Sequence, residues 1–369
     1  MKITILRKNL KDGLSIVERG VTDNNNLPVL KHILIKTVNN KIQLSSTNLE
    51  LSVITFVSGK IVEDGGIAVP FSPFNSVISN TDSERIDIEV KNNNLLIKTD
   101  NYEAKIQGLP ESDFPIIPKI TNNTNFLELD PLILKEALNQ VSVAVSYSEI
   151  RPELNGVLLD YQVNALKFVA TDSFRLAEKT LYENQVKTTL KESLKVIIPI
   201  KTIQEVIRVF NNSPVIVLVG DNQIMFKNED VSIISRLIDG TYPDYEQIIP
   251  KSTETELGLS RSDLMKSVKL VSSFSGKVND IHLKLSGEKK VLEVYSSNQY
   301  LGENNYLVPV KQKGSAFSDI VFNWKYLLDG LKVLNSENLT FSLNGDMKPA
   351  MFKTAENNSY FYIVMPIKI

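Results

Sequence analysis

The sequence predicts an α+β protein of three similar sheet-dominated domains, each with two helices, and three observations predict it. Sliding the chain against itself gives a repeat of about 125 residues, far longer than the repeats of solenoids or propellers. Each copy opens with apolar residues at helical spacing and continues in segments that alternate as half-buried strands do. The 369 residues, 42% hydrophobic and 23% charged, suit two or three globular domains. The expected copies are 1–120, 121–250 and 251–369.

The first element of each copy is an amphipathic helix. Leu6, Leu10, Leu14, Val17 and Val21 mark it in the first copy, Leu134, Leu138, Val141 and Val145 in the second, and Leu264, Val268 and Val271 in the third. A strand and turn follow at Ser46-Thr47-Asn48-Leu49, Ala170-Thr171-Asp172-Ser173 and Ser296-Ser297-Asn298-Gln299, where hydroxyl and Asx side chains bond local backbone. A second helix is expected over Phe71 to Ser79, around Ile203-Ile207-Phe210, and over Trp324 to Leu334; Pro73 fits only near a helix start. A late strand pair closes each copy, beginning at Leu95-Leu96-Ile97, Gln223-Ile224-Met225 and Ala350-Met351-Phe352. Arg85-Ile86-Asp87-Ile88-Glu89-Val90 shows the alternation of such strands. Linkers rich in Pro, Asn, Ser and Thr run from Phe114 to Asn125 and from Tyr242 to Glu256, and the runs Asn24-Asn25-Asn26 and Asn92-Asn93-Asn94 read as loop tips.

Composition excludes several function classes. Zero cysteines exclude disulfides, thiolate zinc sites and cysteine nucleophiles, and fit a reducing compartment. The N-terminus lacks a signal-peptide core and no run approaches twenty apolar residues, so a cytoplasmic protein with no membrane partner is expected. With 41 Lys+Arg against 43 Asp+Glu, the net charge of −2 argues against gripping nucleic acid by bulk charge. Any such role must be local or topological.

Signs of catalysis are weak. The two histidines, His32 and His282, sit in apolar strand patterns, and no HExxH, GxGxxG or GxxxxGK[ST] motif occurs. Asp87 and Glu89 share a strand face where water would leave them untuned as an acid/base pair. The sequon Asn122-Asn123-Thr124 carries no weight without a secretion signal. No catalytic residue, metal or cofactor is expected. A hydrolase using scattered carboxylates is the weakest reading, and a triple-repeat scaffold that binds apolar peptides without DNA is an alternative. The segment from Tyr360 to Ile369 stays apolar throughout; alternation is lost after Val364 and Pro366 cannot donate to a ladder. A Met- and Ile-lined rim there suits a groove for apolar peptide side chains.

The triple repeat, Leu154-Asn155-Gly156-Val157, Ala170-Thr171-Asp172-Ser173-Phe174-Arg175-Leu176-Ala177, Asp239-Gly240-Thr241-Tyr242-Pro243-Asp244-Tyr245 and terminal Val364-Met365-Pro366-Ile367-Lys368-Ile369 together resemble the bacterial DNA polymerase III beta subunit family, over the whole chain. The resemblance implies a DNA-clamp fold, a head-to-tail homodimer closing a ring with helices lining the hole, and a processivity role around double-stranded DNA. It implies partners that dock through short apolar peptide motifs: the polymerase III alpha subunit, the clamp loader complex, and other polymerases and repair proteins. The implied peptide groove is lined by Leu154, Thr171, Ser173, Phe174, Arg175, Leu176, Pro243, Gln247, Ile248, Val278, Asn323, Tyr326, Met347, Pro349, Ile363, Val364, Met365, Pro366 and Ile367. Phe174 stands where a His is familiar, Ser173 for a Gly and Gln247 for an Arg. For DNA, Asn24 replaces a familiar loop Arg and Pro152-Glu153 an aromatic pair, so helix faces must supply the charge: Arg7, Lys8, Lys11, Lys201, Arg208, Lys266, Lys269, Lys325 and Lys332. The implied dimer contact uses Ala104 and Ile106 against Leu270 and Val271, and the small Ala104 predicts a weaker dimer.

Overall fold

The computed structural model describes residues 1–23, 26–118, 120, 125–286, 290–354 and 358–368. Among them are six α-helices: α1 Arg7–Val17, α2 Phe71–Asn80, α3 Pro131–Ser142, α4 Ile200–Val209, α5 Arg261–Val271 and α6 Trp324–Val333. Each falls where the sequence predicts one, and Pro73 lies in the first turn of α2. Leu10, Leu14 and Val17 of α1 and Leu264, Val268 and Val271 of α5 form the predicted buried stripes. Leu6, Val21 and Val145 lie outside the helices, Leu6 as the exposed last residue of the strand Lys2–Leu6. A 3-10 turn at Glu18–Gly20 ends the first stripe and leaves Val21 extended, and α3 stops at Ser142.

The chain divides into two compact units: Met1–Pro131 with Lys187–Leu190 and Gln204–Leu237, and Leu132–Val186 with Lys191–Ile203 and Ile238–Ile369. The first holds a five-stranded antiparallel sheet in the order Gly59–Glu63, Lys2–Leu6, Arg85–Lys91, Asn94–Lys98, Glu103–Gln107. It also holds a nine-stranded sheet in which Val231–Arg236 pairs with Leu51–Val57, Ile233 opposite Val53. In the second unit a nine-stranded sheet pairs Arg175–Tyr182 with Tyr360–Val364, Leu176 opposite Ile363. A four-stranded sheet there runs Gly302–Pro309, Val291–Asn298, Asp280–Ser286, Phe317–Asn323. The sequence copies therefore share sheets instead of owning them, because one copy's strand supplies the next copy's edge partner.

Local chemistry explains the turns and linkers. Asn39-Asn40 and Asn92-Asn93 have φ between 50° and 59°, the two-residue hairpin geometry that asparagine tolerates best after glycine. The linkers are anchored, not merely solvated. Phe114 is buried in a cluster with Leu34 and Ala68, and Tyr245 in one with Leu176 and Ile363. Asn122-Asn123-Thr124 and Asn24 lie outside the described residues.

Candidate functional site

The turn after the strand Ala165–Thr171 organises the site. Asp172 Oδ1 accepts the backbone N–H groups of Phe174 and Arg175, both at 2.9 Å, and its Oδ2 accepts Arg175 Nε at 2.9 Å. Asn48 does the same for Glu50 and Leu51 at 3.0 and 2.7 Å, and Asn298 for Tyr300 and Leu301 at 2.9 and 3.3 Å. The predicted Asx landmark is thus one device used three times. Ser173 takes φ +78°, a left-handed conformation that favours glycine, so serine holds this turn at a backbone cost.

Arg175 is clamped from a second side. Its Nη1 donates to Asp329 Oδ2 on α6 at 2.7 Å, and its guanidinium lies 4.4 Å from the centroid of the Tyr326 ring. Burial opposes the Arg175 charge, but Tyr362, Asp329 and Asp172 outweigh it and hold the guanidinium above its ordinary range. Burial also pushes the Tyr362 phenol upward, so it stays a donor, and its hydroxyl bonds the Tyr326 carbonyl oxygen at 2.9 Å. Asn323 Oδ1 accepts the Lys325 N–H at 3.0 Å and caps α6, so its side chain is committed to the helix.

Beyond Val364 the chain leaves its sheet as a strap. Met365 N–H bonds the Phe174 carbonyl oxygen and Ile367 N–H that of Val321. These contacts bring Phe174, Arg175, Tyr326, Val364, Met365 and Ile367 into one constellation. The turn Tyr245–Ile248, which carries Gln247 and Ile248, is anchored beside it by Tyr245; Gln247 Nε2 donates to Asp244 Oδ2 at 2.8 Å.

Burial sorts the remaining groove candidates. Ser173, Phe174, Gln247, Ile248, Val278 and Met347 are exposed, and Pro243, Pro349, Met365, Pro366 and Ile367 are half-buried. Leu154, Thr171, Leu176, Ile363 and Val364 are buried, which corrects the expectation that they line an open surface. Mid-sheet pairing of Leu176 with Thr171 and Ile363 and of Arg175 with Val364 places Thr171, Leu176, Ile363 and Val364 in a floor beneath it, and Leu154 is the buried end of the 3-10 turn Pro152–Leu154. Asp329 was missed by sequence reasoning. It lies 154 residues from Arg175, and no local pattern marks the contact.

The basic candidates stand on helices. Lys8, Lys11, Lys201, Lys266, Lys269 and Lys325 are exposed and Arg7 half-buried. Arg208 pairs with Glu205 at 2.7 Å and Lys332 with Asp329 at 3.4 Å, so part of their charge is already answered. α3 carries only Lys135, and α2 carries no cation.

At the expected dimer contact, Leu270 is half exposed, whereas Val271 is 1% exposed. The helical spacing that puts Val271 on the core face of α5 removes it from any interface. Ile106 is also buried, and Ala104 is partly open on the edge strand Glu103–Gln107. Among the described residues no group of three or more His, Cys, Asp or Glu side chains is placed to hold a metal ion, and no helix is long and apolar enough to cross a membrane.

Comparison with known proteins covers the chain almost end to end. Family models for the DNA polymerase III beta subunit match in order: the N-terminal domain at residues 1–118, the central domain at 128–244 and the C-terminal domain at 246–368. The Bacillus subtilis beta sliding clamp is 26% identical over 380 residues, covering 100% of both chains, and that of Streptococcus pneumoniae 29% over 378 residues, covering 98% of each. The crystal structure of the Bacillus subtilis DNA polymerase sliding clamp superposes with a TM-score of 0.95 at 25% identity, over 100% of this chain and 99% of that one. A sliding clamp from Pseudomonas aeruginosa, solved bound to griselimycin, gives 0.94 at 29% identity over 100% of both. Three ordered domain matches without a large gap leave one assignment: the chain belongs to the DNA polymerase III beta subunit family.

Proposed function

We propose that two copies of this chain close head to tail into a ring around duplex DNA and tether partners through the groove at Phe174, Arg175 and Met365. By family the chain is a DNA sliding clamp, and a peptide scaffold that does not encircle DNA is not favoured. The observation that carries the ring is a pair of open sheet edges. Glu103–Gln107 ends one sheet and Gly302–Pro309 ends another. An unpaired edge is a template for another chain, and two different edges on one chain make a heterologous contact that closes a ring. Leu270 supplies apolar surface beside the second edge, where Asn304 Nδ2 donates to its carbonyl oxygen at 3.0 Å. The small Ala104 makes this dimer a somewhat weaker one, and sedimentation at nanomolar concentration with no dissociation would overturn that.

A topological link also reconciles DNA binding with a net charge of −2. A ring needs only weak, sequence-independent phosphate attraction from the helix cations, and weak contacts exchange readily as the ring slides. The groove pairs apolar side chains with a few polar fixers, the form suited to the apolar peptide motifs of the polymerase, the loader and repair proteins. The griselimycin-bound relative supports a ligand-taking site in this fold. Domain boundaries near 120 and 250 are supported by where the family matches end. The role is that of a cytoplasmic accessory subunit, not a catalyst. Primer extension on a long primed circle, with loader and polymerase supplied, tests it: added protein lengthens products per binding event, and unchanged product length contradicts the proposal.

A further inference from the structure

We propose that Asp329 is the positioning residue of the groove and that it couples the groove to the face of α6 that carries Lys332. The inference rests on the groove reading above. Asp329 divides its carboxylate: Oδ2 accepts Arg175 Nη1 at 2.7 Å, while Oδ1 accepts Lys332 Nζ at 3.4 Å. The first bond is the shorter and holds a guanidinium whose side chain is 12% exposed; the second reaches a lysine that is 55% exposed. Charge-assisted bonds to a planar guanidinium fix its direction as well as its place. Asp172, on Arg175's own turn, fixes the Nε side, and Asp329 fixes the Nη1 side. Together they keep the guanidinium over the Tyr326 ring, whose backbone is in turn held by the Tyr362 hydroxyl. With Asp329 removed, one end of the guanidinium loses its anchor and the wall beside Phe174 loses its shape.

Lys332 competes for the same carboxylate. A phosphate that draws Lys332 outward leaves the Asp329 charge undivided and tightens its hold on Arg175. Coupling between sites is reciprocal, so a peptide that needs the clamped Arg175 favours the state in which Lys332 is released to phosphate. The geometry thus makes Asp329 a shared anchor on α6, for which the groove's Arg175 and the phosphate-seeking Lys332 compete.

The test is fluorescence anisotropy of a labelled Gln-Leu-Ser-Leu-Phe peptide titrated with the full-length protein and its variants, each also melted thermally. Asp329→Asn weakens peptide binding by about fivefold, a loss in keeping with one partly exposed charged bond. Asp329→Glu, which keeps the carboxylate, recovers part of it. Arg175→Lys weakens binding as well, and the double variant Arg175→Lys with Asp329→Asn is no weaker than Arg175→Lys alone, because Asp329 acts through Arg175. Lys332→Gln tightens binding about twofold in the wild-type background and has no effect when Asp329 is Asn. Additive losses, or equal affinity for wild type and Asp329→Asn with both folded, overturn the inference. If the wild type itself fails to bind the peptide, the groove reading falls instead.

Discussion

Met365 donates its backbone N–H to the carbonyl oxygen of Phe174 at 2.8 Å, just where the strand Tyr360–Val364 stops. Pro366 then has no N–H to give, and Ile367 ties the chain to Val321 at 2.7 Å. The strap is therefore held by two backbone bonds outside the sheet, while Ile363 and Val364 stay in the core. Truncation after Val364 is expected to leave the melting temperature within a few degrees of wild type and to abolish binding of the labelled peptide. Retained affinity in a folded truncated protein would place the groove elsewhere.

Gly330 lies in α6, where replacing glycine by alanine ordinarily stabilises by about 1 kcal/mol. Here a Cβ runs into the Tyr362 ring, which is fully buried and cannot retreat. Overpacking of about 1–3 kcal/mol outweighs the propensity gain. Gly330→Ala is expected to lower the melting temperature and, by displacing the Tyr362 hydroxyl from Tyr326, to weaken peptide binding. A rise in the melting temperature would show that the ring moves freely.

Leu49 holds φ +75° with its side chain half exposed, so it bears the strain of a left-handed residue with little packing in return. That conformation costs an L-residue roughly 1–2 kcal/mol, and the greater chain entropy of glycine takes back about half. Leu49→Gly should raise the melting temperature by about 2 °C. Leu49→Val, branched at Cβ, should lower it. The opposite order in thermal melts would mean that the turn relaxes away from this geometry.

Glu337 receives Ser260 Oγ, Ser262 Oγ and the Ser262 N–H at the start of α5, and these bonds hold its carboxyl down at about 2. A folded value below the unfolded one, roughly 4.3, stabilises the protein fully above that pH, and the stabilisation is lost as pH falls toward the folded value. Glu337→Gln should therefore melt lower than wild type at pH 7, with the gap closing between roughly pH 4.5 and 2. A gap that stays constant through that range would show that the carboxylate charge is not what these serines read.

Much of this molecule is legible in one sequence because its helices are amphipathic and its turns repeat. The stripe Leu264, Val268, Val271 marks α5, and the Asx residues Asn48, Asp172 and Asn298 mark the same turn in all three copies. The pairing of Arg175–Tyr182 with Tyr360–Val364 is not legible, since register between distant strands leaves no local pattern. For the same reason the groove residues are sorted only by the fold: Phe174 is exposed in the turn before the strand, and Leu176, inside the strand, is in the core. Asp329 is invisible until α6 is packed, and Val271 shows that one periodicity can be read correctly for the core and then misassigned to an interface.

A topological hold on DNA is measured directly by gel filtration of the labelled protein loaded by a clamp loader onto nicked circular plasmid, before and after one restriction cut. The ring predicts co-elution with the circle and release once the DNA has ends. Equal retention on circular and linear DNA, or none on either, would contradict it.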